Sequence, residues 1–199
     1  MNVTLKKRDC GMRMKLVPYG AGWTDVHLDI EKDSLYFVIS YVWGDCFSKL
    51  LEALYYLHPD QKDPQGIEGL HPCKAEFEWD EEGASSHWLL TRDATATADF
   101  DLHIDLTVHR KEVRQYAYTV RYKDFCYAVA KACTETLKSH GIYGYHHSTY
   151  EDDIPLRYLL FIKSVALEND EARTLTYHDV GKGESTSFEK EIELLLFDM

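Results

Sequence analysis

Between Phe100 and Val108 every second residue is apolar: Phe100, Leu102, Ile104, Leu106 and Val108 alternate with Asp101, His103, Asp105 and Thr107. Side chains of a strand leave its two faces in turn, so this segment has one dry face and one wet face. Strands of that kind belong to antiparallel sheets, which pack one side on a core and keep the other in water. A single such strand is not stable alone, so the rest of the chain has to supply neighbours with the same period.

Those neighbours are present. In CKAEFEWD (73–80) Cys73, Ala75, Phe77 and Trp79 alternate with Lys74, Glu76, Glu78 and Asp80. SSHWLLTR (85–92) carries Trp88 and Leu90 in phase, and QYAYTVRY (115–122) carries Tyr116, Tyr118, Val120 and Tyr122. The links between these segments are short, which predicts an antiparallel meander of four strands. Upstream, WTDVHLDI (23–30) alternates as well, and LYFVISYVW (35–43) is apolar on both faces, as expected of a strand well inside a sheet. The two read as a hairpin. Residues 1–22 show no clear period and read as irregular, with Pro18 and Gly20 to Gly22 marking a loop.

The period changes to helical in three places. Phe47, Leu50, Leu51 and Leu54 form one stripe behind Asp45, a good N-cap residue, and the stripe ends near Pro59. Residues 59–72 are turn-forming. Phe125, Cys126, Val129, Ala130, Cys133 and Leu137 form a second stripe that stops at His140-Gly141. Leu156, Leu159, Leu160, Lys163 and Val165 predict a third helix, with Pro155 in its first turn and Asp152 or Asp153 near its N-cap. In the tail, Phe188, Ile192, Leu195 and Leu196 have helical spacing, although EIELLLF reads equally as a strand. The order ββα, ββββ, αα predicts an α+β fold. It has an antiparallel sheet of about six strands with helices packed on one face, in a single domain over 1–167 followed by an acidic tail over 168–199.

Charge narrows the function classes. The 199-residue chain has a formal net charge of −12, and the tail, with nine acids and three bases, holds half of it. Such a field opposes nucleic acid and anionic membranes, which need clustered Lys or Arg. It speeds encounter with a basic protein partner, and it also serves simply to keep a cytoplasmic protein in solution. The opening residues lack an apolar core of signal-peptide length, and no run of apolar residues is long enough to cross a bilayer. Five cysteines without a CxxC pair suggest neither a disulfide framework nor a zinc knuckle.

Two places gather chemistry-bearing residues. The wet faces of two strands line up Glu76, Glu78 and Asp80 on one and Asp101, His103 and Asp105 on the other, a candidate surface for a basic partner or an ordinary solvated sheet face. The loop over 140–153 brings together His140, His146, His147, Asp152 and Asp153, with Tyr143, Tyr145 and Tyr150 among them. Imidazole and carboxylate suit zinc or iron, and a His–Asp pair is also the usual general base with its orienting partner. No HxxxH or HExxH spacing places two ligands on one helical face, and solvated histidines beside helix-capping aspartates account for the same pattern. Cys46, at a predicted helix N-terminus, is a candidate reactive thiol. Cys126 and Cys133 fall on an apolar stripe and read as core.

No nucleophile elbow, dinucleotide fingerprint or phosphate loop occurs, and GKGEST (181–186) lacks the spacing of the last. The sequence therefore points first to a non-enzymatic interaction module of the inhibitor or immunity type, binding a basic partner through the acidic sheet face or the acidic tail, without a cofactor. Its alternative is an enzyme or metal-dependent small-molecule binder using the 140–153 loop. A homo-oligomer built on an edge strand or on the Phe188–Leu196 segment is the third reading.

Overall fold

The structure is a computed structural model and describes residues 11–40, 46–61, 72–149, 153–169, 176–177 and 184–199. The elements run β1 (Arg13–Gly20), β2 (Trp23–Ile30), β3 (Asp33–Ser40), α1 (Cys46–Leu57), β4 (Lys74–Asp80), β5 (Ser85–Thr91), β6 (Asp101–His109) and β7 (Val113–Arg121). They continue with α2 (Tyr122–Ser148), α3 (Leu156–Ala166), a two-residue pair β8 (Thr176–Tyr177) and β9 (Glu184–Ser185), and α4 (Phe188–Leu196). The expected N-cap Asp45 and most of the 59–72 segment lie outside the described residues.

The α+β class and the antiparallel pairing are as read from the pattern, but the single six-stranded sheet is not. Three strands in the order β1-β2-β3 form one sheet, and four in the order β4-β5-β6-β7 form another. The split arises because β3 does not pair with β4, and the first sheet gains β1 from a segment read as irregular. Met12, Met14, Leu16 and Pro18 are buried while Arg13, Lys15 and Tyr19 are exposed, so the segment does alternate. Methionine inside and long cations outside blur that alternation. Pro18 sits in β1 next to an irregularity in register between Pro18 and Gly20, which an outer strand tolerates. The addition of β1 makes β2 the central strand and puts β3 on the outside, where Tyr36 is exposed and Val38 half-buried.

Aromatic packing across Phe37 helps tie the two sheets together. Phe37 of β3 meets Trp79 at 5.3 Å between ring centroids and Trp88 at 5.8 Å, and these two indoles lie 4.8 Å apart. Phe77 stacks on Trp88 from β4. Both indoles are fully buried, and enclosing side chains of this size is worth about 2–3 kcal/mol each. The β4–β5 turn that brings Trp79 beside Trp88 has positive φ at Glu82 and Gly83 and is closed by a bond from Glu81 N to Ala84 O, the geometry that matches strand twist in a tight hairpin.

Helices pack against both sheets. α2 lies along β1 and against α3, and α1 lies along β4. The Thr136 hydroxyl donates to the Leu16 carbonyl at 3.1 Å, fixing α2 on β1. Arg92, almost fully buried, donates to the Leu57 carbonyl at 2.7 Å and so caps the end of α1 from the sheet. The first helical stretch of α2 ends at Gly141, as its sequence predicts. The backbone there turns to φ 70, ψ 167, and a further helical stretch runs to Ser148, so most of the segment read as a loop is helical. Nor does Asp153 cap α3: Pro155 holds the N-cap position and no side-chain cap bond is made. The ambiguous EIELLLF segment is helical, and α4 packs on α3. No helix among the described residues is long and apolar enough to cross a membrane.

Candidate functional site

Strand order decides which polar residues converge on the four-stranded sheet. Register places Glu76 opposite Leu89 and Leu89 opposite Asp105, while Glu78 faces His87, which in turn faces Thr107. Glu76, Glu78, Asp80, Asp101, His103 and Asp105 therefore share one face, and all are exposed except the half-buried Asp80. They stand in two columns separated by β5, so carboxylates in the same row are about 10 Å apart. That spacing is too wide for two of them to grip one ion and suits contact with several side chains of a partner.

Local pairing sorts the acids. Glu76 is bracketed by Lys74 at 2.9 Å and His87 Nε2 at 2.8 Å. The Lys74 bond first, then the His87 bond, hold its carboxyl below the usual range. Asp101 lies 3.5 Å from Arg121, and Asp80 accepts the Glu82 backbone N–H at 2.9 Å, which ties it to the turn. His103 Nδ1 lies 3.0 Å from the Thr119 hydroxyl. The Glu78 and Asp105 carboxylates make no ion pair or hydrogen bond among the described residues, which leaves their charge available. Lys74, His87 and Arg121 belong to this face as well. Alternation already put Lys74 on the same side as the acids of β4, whereas His87 and Arg121 come beside the acids only through the pairing of β5 with β4 and of β7 with β6.

At the β4 edge the face runs into a groove of about 480 Å³ between α1 and β4. Ala53, Tyr56, Ala75 and Phe77 give it apolar surface, and Glu76 and Glu78 belong to both groove and face. Its volume lies within the range of small-molecule and anchor-residue pockets. Periodicity could not reveal it, since it depends on α1 docking beside β4.

The histidine segment is less convergent. His146 Nδ1 lies 3.1 Å from the Asp153 carboxylate. His147 packs edge-on against Tyr143 at 4.5 Å and lies 5.8 Å from the His146 ring. His140 turns back on its own helix, with Nδ1 2.7 Å from Ser139 Oγ. Asp152 and Tyr150 lie outside the described residues. Among those described, no group of three His, Cys, Asp or Glu stands close enough to hold a metal ion. The Cys46 side chain is likewise outside them, whereas Cys126 and Cys133 are buried on α2, and burial pushes the Cys126 thiol pKa up.

Comparison of the chain with protein-family models, with curated proteins and with solved structures finds no match.

Proposed function

We propose that the chain is a non-enzymatic interaction module that binds a basic protein partner on the outer face of β4–β7, in the manner of an inhibitor or immunity-type protein. One observation carries this reading: among the described residues, the Glu78 and Asp105 carboxylates have no partner and stand on an exposed sheet face that no described helix covers, beside a groove with apolar surface. An apolar anchor next to uncompensated charge is the layout from which interfaces draw their energy, while the surrounding field of the −12 chain accelerates encounter. A lysine or arginine side chain fits such a site, its stem on Tyr56 and Phe77 and its head toward Glu78.

The test is calorimetric titration with a Lys/Arg-rich peptide, using the native chain and the Glu78→Lys and Asp105→Lys variants. The expected result is affinity that falls as salt rises and drops at least about tenfold in each variant. Unchanged affinity in both variants would remove the sheet face from consideration.

The His146–Asp153 pair favours a second reading, a metal-dependent or enzymatic site that uses His146, His147 and the 152–153 carboxylates with zinc or iron. It requires about one metal per chain after gentle purification, lost in His146→Ala. Metal-free native protein disposes of it.

A further inference from the structure

Helix α4 carries apolar side chains on two opposite sides. Leu194 and, just past the helix, Met199 are buried. The Lys163 ammonium holds the end of the helix by donating to the Leu195 and Phe197 carbonyls, and Lys138 reaches Asp198 at 2.8 Å. Ser187 caps the start, its hydroxyl accepting from the Lys190 N–H at 3.4 Å. The inner side of α4 is thus fastened to the domain at several points.

Phe188, Ile192 and Leu196 point the other way and are 73%, 36% and 71% exposed. Spaced four apart, they form one row along the helix, and Leu194 lies about 200° round the axis from Ile192. Single exposed apolar residues are ordinary. Three in a row on a nine-residue helix leave roughly 300 Å² of apolar surface in water, an extent at which a patch on a monomer is often functional. Glu189 and Glu193 follow Phe188 and Ile192 by one position each, so they make a second row beside the first. Both are exposed, and their carboxylates make no ion pair or hydrogen bond among the described residues. Glu191, in contrast, accepts a bond from the Thr186 hydroxyl.

We propose that the outer side of α4 docks an amphipathic helix of a partner protein, with its apolar stripe on Phe188, Ile192 and Leu196 and its lysines or arginines against Glu189 and Glu193. The row has helical spacing and runs for about 12 Å, so a partner helix of about three turns matches it stripe to stripe. The unpaired glutamates select a cationic flank. The same charges turn away a second copy of this chain: α4 has three glutamates and one lysine, and two copies laid stripe to stripe bring like charges together. Charge alone does not fill the site, because a basic segment without an apolar stripe lacks the anchor. α4 is a different element from the β4–β7 face, and docking here does not depend on that face.

The experiment is fluorescence anisotropy on the full chain with two labelled peptides of about 14 residues and identical composition. One sets leucines on a single helical side among lysines and alanines, and the other shuffles the same residues so that the stripe is lost. The stripe peptide should bind at least about tenfold more tightly than the shuffled one. In Phe188→Ser/Leu196→Ser that excess should disappear, while the shuffled peptide binds as before. Glu189→Gln/Glu193→Gln should weaken the stripe peptide and flatten its salt dependence. Glu78→Lys should leave the excess in place, which separates α4 from the sheet face. All four substituted α4 side chains are exposed, and far-UV circular dichroism checks that the variants fold. Equal affinity for the two peptides, an excess that survives Phe188→Ser/Leu196→Ser, or no loss in Glu189→Gln/Glu193→Gln each overturns the docking surface. Self-association of the native chain in sedimentation, abolished by Phe188→Ser/Leu196→Ser, overturns it in favour of a second copy.

Discussion

Lys163 on α3 is fully buried, and its Nζ donates to Thr134 Oγ1 at 3.2 Å, to the Leu195 carbonyl at 3.0 Å and to the Phe197 carbonyl at 2.7 Å. Three ammonium protons meet three acceptors, two of them at the end of α4, so this side chain pins α4 to the domain. None of the three is a carboxylate, and the neighbouring Asp198 is engaged by Lys138 at 2.8 Å. Burial first, and the Lys138 charge second, push the Lys163 pKa down from 10.5 to about 8. A lysine depressed in the folded chain binds fewer protons there than in the unfolded chain between those two values. Stability therefore rises as pH climbs from the folded toward the unfolded pKa, and is lost as pH falls back through the folded one. Between about pH 7 and about pH 9.5 the gain amounts to roughly 2 kcal/mol.

Lys163→Met is the perturbation that isolates this. Its absolute stability is a poor readout, because stranding two carbonyls costs about 1–3 kcal/mol each while removing a buried ammonium returns a similar amount. The pH slope does not cancel. Urea unfolding, followed by tryptophan fluorescence at both pH values, should show the native chain gaining roughly 2 kcal/mol more than the variant across the interval. Other lysines and the tyrosines titrate in both proteins and drop out of the difference. Equal pH dependence in the two would refute the depressed lysine.

Phe37→Ala removes the ring that joins Trp79 to Trp88 from the other sheet and should cost about 3–5 kcal/mol in urea unfolding; a loss below about 1 kcal/mol would mean the sheets do not depend on that contact. Gly141→Ala should lower stability by about 1–3 kcal/mol in calorimetry, because φ 70, ψ 167 is a backbone state few other residues adopt. Nothing lies within 4 Å of an added Cβ, so backbone strain alone carries that cost. Thiol labelling of the native chain, read by mass spectrometry, should modify half-buried Cys73 and spare Cys126, whose thiol burial keeps protonated; prompt labelling of Cys126 would contradict its core position.

The four-stranded meander was legible in the sequence because its core residues, from Phe77 to Val120, obey period two and its β4–β5 and β6–β7 turns are short. β1 was not, since Met12 and Met14 are weak markers of a core face and Pro18 argues for a loop. The extension of α2 past Gly141 escaped for a different reason: glycine signals a helix end, and here it is one, but a second helical stretch begins at once. The six residues of the acidic face could be assigned to a common side from parity alone. Their spacing, their partial neutralisation by Lys74, His87 and Arg121, and the groove beside them all depend on strand order and helix docking, which periodicity does not encode.

The most direct test of the central claim is a map of backbone amide shifts in the isotope-labelled chain during titration with a Lys/Arg-rich peptide. The account predicts changes concentrated on Glu76, Glu78, His87 and Asp105 and on the facing residues of α1, fading as salt is raised. Changes centred on the acidic helix α4, or spread without focus over the surface, would contradict it.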